Sequence, residues 1–373
     1  MPDLRTEEMT INMGPQHPST HGVLRMKLRT DGEVVNSIEP VLGYLHRCFE
    51  KHAENLEYPQ IIPYVERCDY LASMNDNFGY ALAIEKMLDI EVSERVEYLR
   101  MIFVELNRIA SHLVAFGTFG LDVGVQTPFI YAWREREYIL DLFEMTCGAR
   151  LLYNYIWVGG LSHDIPEGFV EKAYDFLDYF EPRIKEYNDL LTTNKIFVER
   201  TADVGMIPRD VAISYGLTGP QLRASGVDWD LRRDELYSIY DRFDWNVIVG
   251  EDGVGSVGDT WNRYYVKILE MQESAKIVRQ ALDQLPAEGD VKEAVPRKIR
   301  PPEGEFYFRS ENPRGELGFY IVSQGHPKPM RVKMRSPAMC NLSVIDEIGS
   351  GWLVADIVAI LGSLDIVLGE IDR

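Results

Sequence analysis

Ile102, Leu106, Ile109, Leu113 and Phe116 recur at steps of three and four residues, and this stripe constrains the fold more than any other feature of the chain. Such steps place side chains on one face of an α-helix, amphipathic or packed on all sides. Comparable helical spacing runs through 69–89, 129–150, 168–191 and 262–285. Segments of that length predict a bundle of long helices.

Strand patterns flank the bundle. Leu24, Met26 and Leu28 alternate with Arg25, Lys27 and Arg29, the period of a half-buried strand. Asp31-Gly32 follows, a dipeptide favoured where both central residues of a hairpin turn take positive φ, and a second strand begins at Val34. Near the other end, Phe306-Tyr307-Phe308 and 317–322 flank an Asn312-Pro313-Arg314-Gly315 turn, and Met330, Val332 and Met334 alternate with charged residues. Neither β segment has enough strands for a stable sheet of its own, so the two ends are expected to pair. The expected class is α+β, mainly a helical bundle with β segments at both termini. The 373 residues read as one intertwined unit: an N-terminal β module (1–63), the bundle (64–285), an exposed proline- and charge-rich linker (286–304), and a C-terminal β segment with a closing helix and tail (305–373).

Charge narrows the partners. Lys and Arg number 39 against 59 Asp and Glu, a net charge of −20, which repels phosphate backbones and anionic headgroups. Nucleic acid is not expected as a partner. No basic region followed by an apolar run opens the chain, so no signal peptide is expected. No apolar stretch reaches the roughly 18 residues of a spanning helix, so any membrane attachment is expected to come through another chain. Cys48, Cys68, Cys147 and Cys340 form no C-x-x-C pair. They read as buried small hydrophobes rather than as disulfides or metal ligands. No G-x-G-x-x-G after a strand and no Walker A sequence is present, so no nucleotide site is indicated.

Three stretches could carry chemistry. Gly14-Pro15-Gln16-His17-Pro18-Ser19-Thr20-His21-Gly22 forbids a helix and puts two histidines on a tight loop; a histidine in a turn is also a common structural hydrogen-bonding residue. Glu66-Arg67-Cys68-Asp69-Tyr70 stands at the opening of an expected helix, where an acid and a tyrosine suit a helix N-terminus and a core equally well. Asp122 ends an apolar helix and needs a partner, since an unpaired buried carboxylate is costly; a histidine is a reasonable one.

Taken together with Gly43-Tyr44-Leu45-His46-Arg47, Glu105-Leu106-Asn107-Arg108-Ile109-Ala110-Ser111-His112-Leu113, Arg134-Glu135-Arg136-Glu137, Arg223-Ala224-Ser225-Gly226, Gly315-Glu316-Leu317-Gly318 and the segment 356–373, these blocks resemble the 49-kDa-type subunit family of respiratory complex I, the NADH:quinone oxidoreductase. The resemblance spans nearly the whole chain in order. It implies a fold like the large subunit of nickel–iron hydrogenases, which hold their metals with two C-x-x-C pairs. Here the corresponding positions read Cys68, Val367, Glu370 and Arg373. Those are not soft-metal ligands as a set, which excludes hydrogenase chemistry and implies no metal and no nucleotide on this chain. The vacated pocket is implied to be the headgroup end of a site for a quinone, ubiquinone or menaquinone. His21 and Tyr70 would be its hydrogen-bond partners and proton donors, Asp122 would support His21, and Arg47 would lie near the iron–sulfur cluster of a sibling subunit.

The resemblance further implies that the cluster and the NADH site lie on partners. Those partners would be the iron–sulfur subunit, other peripheral-arm subunits and a membrane-arm subunit that forms the quinone entry. Location would be peripheral, on the cytoplasmic face of the cell membrane. One departure stands out. Relatives carry a histidine two residues past a Gly-Ala-Arg, where this chain has Leu152, which cannot titrate. Two other readings are a relative fed by ferredoxin or a deazaflavin and a non-catalytic scaffold; retention of His21, Tyr70 and Asp122 speaks against the scaffold.

Overall fold

The computed structural model describes residues 7–15, 22–296 and 298–373. Strands β1 (Glu8–Met13), β2 (Arg25–Asp31) and β3 (Val34–Val41) come first, followed by α1 (Phe49–Ala53), α2 (Tyr58–Val65), α3 (Ser73–Leu88), α4 (Glu94–Asp122) and α5 (Thr127–Cys147). A small hairpin of β4 (Ile156–Trp157) and β5 (Gly160–Leu161) precedes α6 (Phe169–Tyr187). Several shorter helices lead to the long helix Thr260–Asp283. Strands β6 (Gly304–Asn312), β7 (Gly315–Ser323) and β8 (Arg331–Arg335) follow, then helices ending with Val354–Leu364 and Leu368–Asp372. The mixed α+β class and the long helices agree with the reading of the sequence.

Helix α4, the one announced by the apolar stripe, runs 29 residues, about 44 Å at the helical rise. The Ser93 hydroxyl oxygen accepts from the Val96 N–H at 3.3 Å, and Glu94 and Glu97 in the first turn suit the positive helix end. It packs against α3, α5 and the helices Thr260–Asp283 and Val354–Leu364. Covered on every side, it also buries its polar residues. Arg100 pairs with Glu85 at 2.6 Å, Arg108 with Glu105 at 3.2 Å and His112 with Glu270 at 2.9 Å. Pairing is what makes such burial tolerable, because an isolated charge in this interior would cost several kcal/mol.

The expected pairing of the two ends does not occur between strands. Two separate antiparallel three-stranded sheets form, in the orders β1-β2-β3 and β6-β7-β8. Strand β1, which the alternation pattern did not signal, supplies the third strand of the first sheet. The ends meet in another way. Leu28, Val35 and Ile38 share a core with Ile345, Ile348 and Ile357, and the Val35 N–H donates to the Trp352 carbonyl at 2.9 Å. The hairpin turn is also displaced by one residue: β2 extends through Asp31, and Gly32 has φ +61° while Asp31 remains extended. A turn with positive φ only at its first central residue demands glycine there and nowhere else.

Within the expected linker, residues 291–293 lie along the β4–β5 hairpin, with Leu161 N–H donating to the Val291 carbonyl at 2.8 Å and Glu293 N–H to the Gly159 carbonyl at 2.7 Å. Among the described residues, no helix is long and apolar enough to cross a membrane. The cysteines depart from a uniform buried reading. All are free; Cys68 is buried, Cys147 and Cys340 are half-buried, and Cys48 is exposed.

Candidate functional site

The segment 66–72 is a turn between α2 and α3, not the opening of a helix as its spacing suggested. Three buried side chains hold it. The Asp76 carboxylate accepts from the Asp69 N–H at 2.9 Å, the Asn107 amide donates to the Leu71 carbonyl at 3.1 Å, and the Arg314 guanidinium donates to the Asp69 carboxylate at 2.6 Å. The turn thus presents Cys68 and Tyr70 in a set direction.

The C-terminal helix Leu368–Asp372 closes onto this turn. A Cβ added at Gly369 would lie 2.7 Å from the Cys68 carbonyl oxygen and 3.4 Å from the Tyr70 ring, so glycine is what permits the contact. The next residues capture a third segment. The Asp372 carboxylate accepts from the N–H groups of Gly43 at 2.8 Å and Leu45 at 2.7 Å, and the Arg373 carbonyl accepts from the Arg47 N–H at 3.3 Å. The Arg373 guanidinium donates to the Met334 carbonyl at 2.7 Å.

These three segments surround a cavity of about 740 Å³ lined in part by Arg47, Arg67, Cys68, Tyr70 and Arg373. Leu45, Phe49, Pro63, Leu151 and Leu152 supply apolar wall. A volume of that order accommodates a small organic ligand, and the mixture of apolar wall with a few converging polar groups is the usual character of such sites. Arg47, Cys68, Tyr70 and Arg373, singled out from sequence, therefore share one cavity. Val367 and Glu370, also singled out, are buried and are not among its lining residues. Asp122, the last residue of α4, is not among the lining residues; its carboxylate lies against Gly362, 2.5 Å from where a Cβ would stand. His21 lies outside the described residues, so its relation to Asp122 and Tyr70 does too.

Burial pushes the Tyr70 phenol up from its usual range, with Arg314 opposing, so at neutral pH it is a neutral hydrogen-bond donor. Burial likewise drives the Cys68 thiol well up, and the nearby Asp76 and Glu370 add to that. Glu370 is pushed up to about 8, first by burial and then by Asp69, and burial with Asp69 and Glu370 nearby drives Asp76 well above the carboxylate range. Glu370 thus holds its proton near pH 7, and Asp76 is biased toward its neutral form. Among the described residues no group of three or more His, Cys, Asp and Glu side chains is arranged to hold a metal ion.

Reading the sequence residue by residue missed Arg67, Asp372 and Arg314. A weak signal existed for two of them: each is a charged residue beside a singled-out position. For Arg314, in a Pro-Arg-Gly turn, nothing local signalled burial.

Comparison with known proteins agrees with this architecture. The family profile of the respiratory-chain NADH dehydrogenase 49-kDa subunit matches residues 122–299 and 290–373. A relative from Chlorobium luteolum, named as the D subunit of NADH-quinone oxidoreductase, is 56% identical over 374 residues, covering 100% of this chain and 95% of its own length. Proteins of the same name from Prosthecochloris aestuarii and Chlorobaculum tepidum are 56% and 55% identical, each over 100% of this chain and 94% of the relative. Matches of this extent leave no large part of the chain outside the relationship, and the chain belongs to the family of the respiratory-chain NADH dehydrogenase 49-kDa subunit.

Proposed function

We propose that this chain forms the quinone headgroup site of a proton-pumping NADH:quinone oxidoreductase, with the cavity around Tyr70 as the headgroup end. The observation that carries the reading is the convergence of the 66–72 turn, the C-terminal helix and the 43–47 loop on one cavity that holds a phenol donor and three arginines. In this reading Cys68, Val367, Glu370 and Arg373 occupy the positions of a lost metal site.

Converting a quinone to a quinol takes two electrons and two protons. The electrons come from an iron–sulfur cluster on a sibling subunit. This chain binds, orients and protonates. The Tyr70 O–H donates a hydrogen bond to one quinone oxygen, and as negative charge grows on that oxygen the shared proton moves toward it, the role of a general acid. His21, as an imidazolium favoured by Asp122, supplies the proton at the other oxygen. Loss of that proton removes a positive charge beside Asp122, a local change that serves as the trigger for ion-pumping partners. Arg47 holds a fixed positive charge toward the cluster and raises its affinity for electrons. Apolar Leu151 and Leu152 keep water from that wall. The complex is held at the cytoplasmic face of the membrane through its membrane-arm partners.

The test is turnover of the assembled complex carrying Tyr70→Phe or His21→Ala. Quinone reduction is expected to fall by about a hundredfold, while reduction of an artificial acceptor that takes electrons upstream is kept. Wild-type quinone reduction in both variants would remove the assignment.

A further inference from the structure

A second, much smaller cavity of about 10 Å³ lies deep between α4 and the helices Thr260–Asp283 and Val354–Leu364, lined among others by His112, Lys267 and Ser363. One water molecule needs roughly 10–15 Å³ of such space together with two to four polar partners. The partners are present. His112 is fully buried, and its Nδ1 has no hydrogen-bond partner among the described residues. Its other ring nitrogen, Nε2, lies 2.9 Å from a Glu270 oxygen.

The tautomer follows from Glu270. Two neighbours hold this carboxyl ionised, the Arg223 guanidinium 2.5 Å away and His112 itself; together they outweigh its burial. An ionised carboxylate only accepts, so Nε2 carries the hydrogen. In neutral His112, Nδ1 is then a bare lone pair that requires a donor. Across the cavity, Lys267 is 5% exposed. It donates to the Ser363 carbonyl at 3.1 Å and pairs with Asp365 at 3.5 Å, and an ammonium carries three hydrogens.

We infer that this cavity is a single-water binding site in which the water accepts a hydrogen bond from Lys267 Nζ and donates one to His112 Nδ1, joining the two side chains as a proton-exchanging pair. In the exchange an Nζ–H bond breaks, the water takes that proton and passes one of its own to Nδ1, and the site keeps a single positive charge. With the proton on Lys267 the charge faces Asp365; with the proton on His112 it faces Glu270. Burial disfavours the charged form of both groups, and Asp365 and Glu270 respectively oppose it. The other charges facing the pair are Arg314 from the β6–β7 turn and Arg263 for Lys267, and Asp365 and Arg108 for His112, so Asp365 favours the charged form of either partner. Asp365 is shared with Arg314 at 3.4 Å, and Arg314 also holds Asp69, so the position of this proton is tied by ion pairs to the turn that carries Tyr70. The site itself stands independently of the quinone reading.

Two measurements on the assembled complex test it. A density map that resolves ordered waters is expected to show one peak about 2.7–3.2 Å from both Nδ1 and Nζ; no peak in the wild-type cavity overturns the proposal, whatever any variant does. Infrared titration of complex with isotope-labelled histidine identifies the His112 band as the one lost in His112→Gln. Removing the facing cation with Lys267→Met is expected to move that titration up by about one to three pH units. A band that titrates at the same pH in both sinks the exchange.

Discussion

Arginines on the cavity and arginines in the core of the same molecule do opposite jobs. Arg47 and Arg67, on the cavity, are exposed. Arg100, Arg223 and Arg314 are fully buried, and each is matched by acids: Glu85 for Arg100, Glu270, Glu311 and Asp230 for Arg223, Asp69 and Asp365 for Arg314. A buried guanidinium that has given its donors to carboxylates is structural cement, and its field is largely cancelled at a distance. An exposed one costs little to keep and leaves its charge available to a ligand or to a neighbouring subunit. Arg47 and Arg67 thus keep their charge where water still solvates it, whereas Arg314, paired with Asp69, holds the turn that carries Tyr70.

That division can be broken first at Arg314. Arg314→Met strands Asp69 and is expected to destabilise the fold by about 3–5 kcal/mol, read as a fall in melting temperature and in yield of assembled complex. A variant that assembles and melts like wild type would mean that the buried pairs hold nothing. Next in size is Glu370→Gln. A carboxyl raised from 4.5 to about 8 is still protonated in the fold after its unfolded counterpart has ionised. Its stabilising balance is therefore greatest below the unfolded pKa and is lost as pH climbs toward the folded one. The amide mimics the protonated acid at every pH, so the decline of melting temperature between about pH 5 and pH 8 should be shallower in the variant; an unchanged slope would remove Glu370 as its source.

Arg47→Gln sharpens the other side of the comparison. Stability should change by no more than about 0.5 kcal/mol, as for other surface substitutions. Quinone reduction by the complex should drop, with the midpoint potential of the neighbouring cluster shifted downward in a redox titration. A stability loss as large as that at Arg314 would erase the distinction between rim and core. Smallest of all is Lys27→Met, which removes an exposed pair with Glu39 at 3.0 Å and should alter unfolding by well under about 1 kcal/mol.

Much of the fold was legible because its signals are local. The steps of three and four along α4 and the alternation in β2 and β8 each depend on neighbours within a few residues. The strand ends were misread for the same reason: nothing within β2 or β3 indicates that Val35 bonds to Trp352, more than 300 positions away. At the site, Tyr70, Cys68, Arg47 and Arg373 were named because they stand in blocks shared with a family, and the structure brings those four to one cavity. Arg314 and Lys267 were passed over, since a charged residue looks solvent-facing until its partner from a distant segment is known.

By itself, then, the order of residues determined the helix bundle, the flanking β segments and the family, because hydrophobic period and short motifs are properties of contiguous chain. Tertiary structure alone decided that the terminal β segments form two sheets instead of one, that Gly369 lets the last helix touch Cys68 and Tyr70, and that His112 and Lys267 line one small buried cavity. Those facts depend on which distant groups end up within a few ångströms, where the cost of leaving a polar group unpaired selects one arrangement among many.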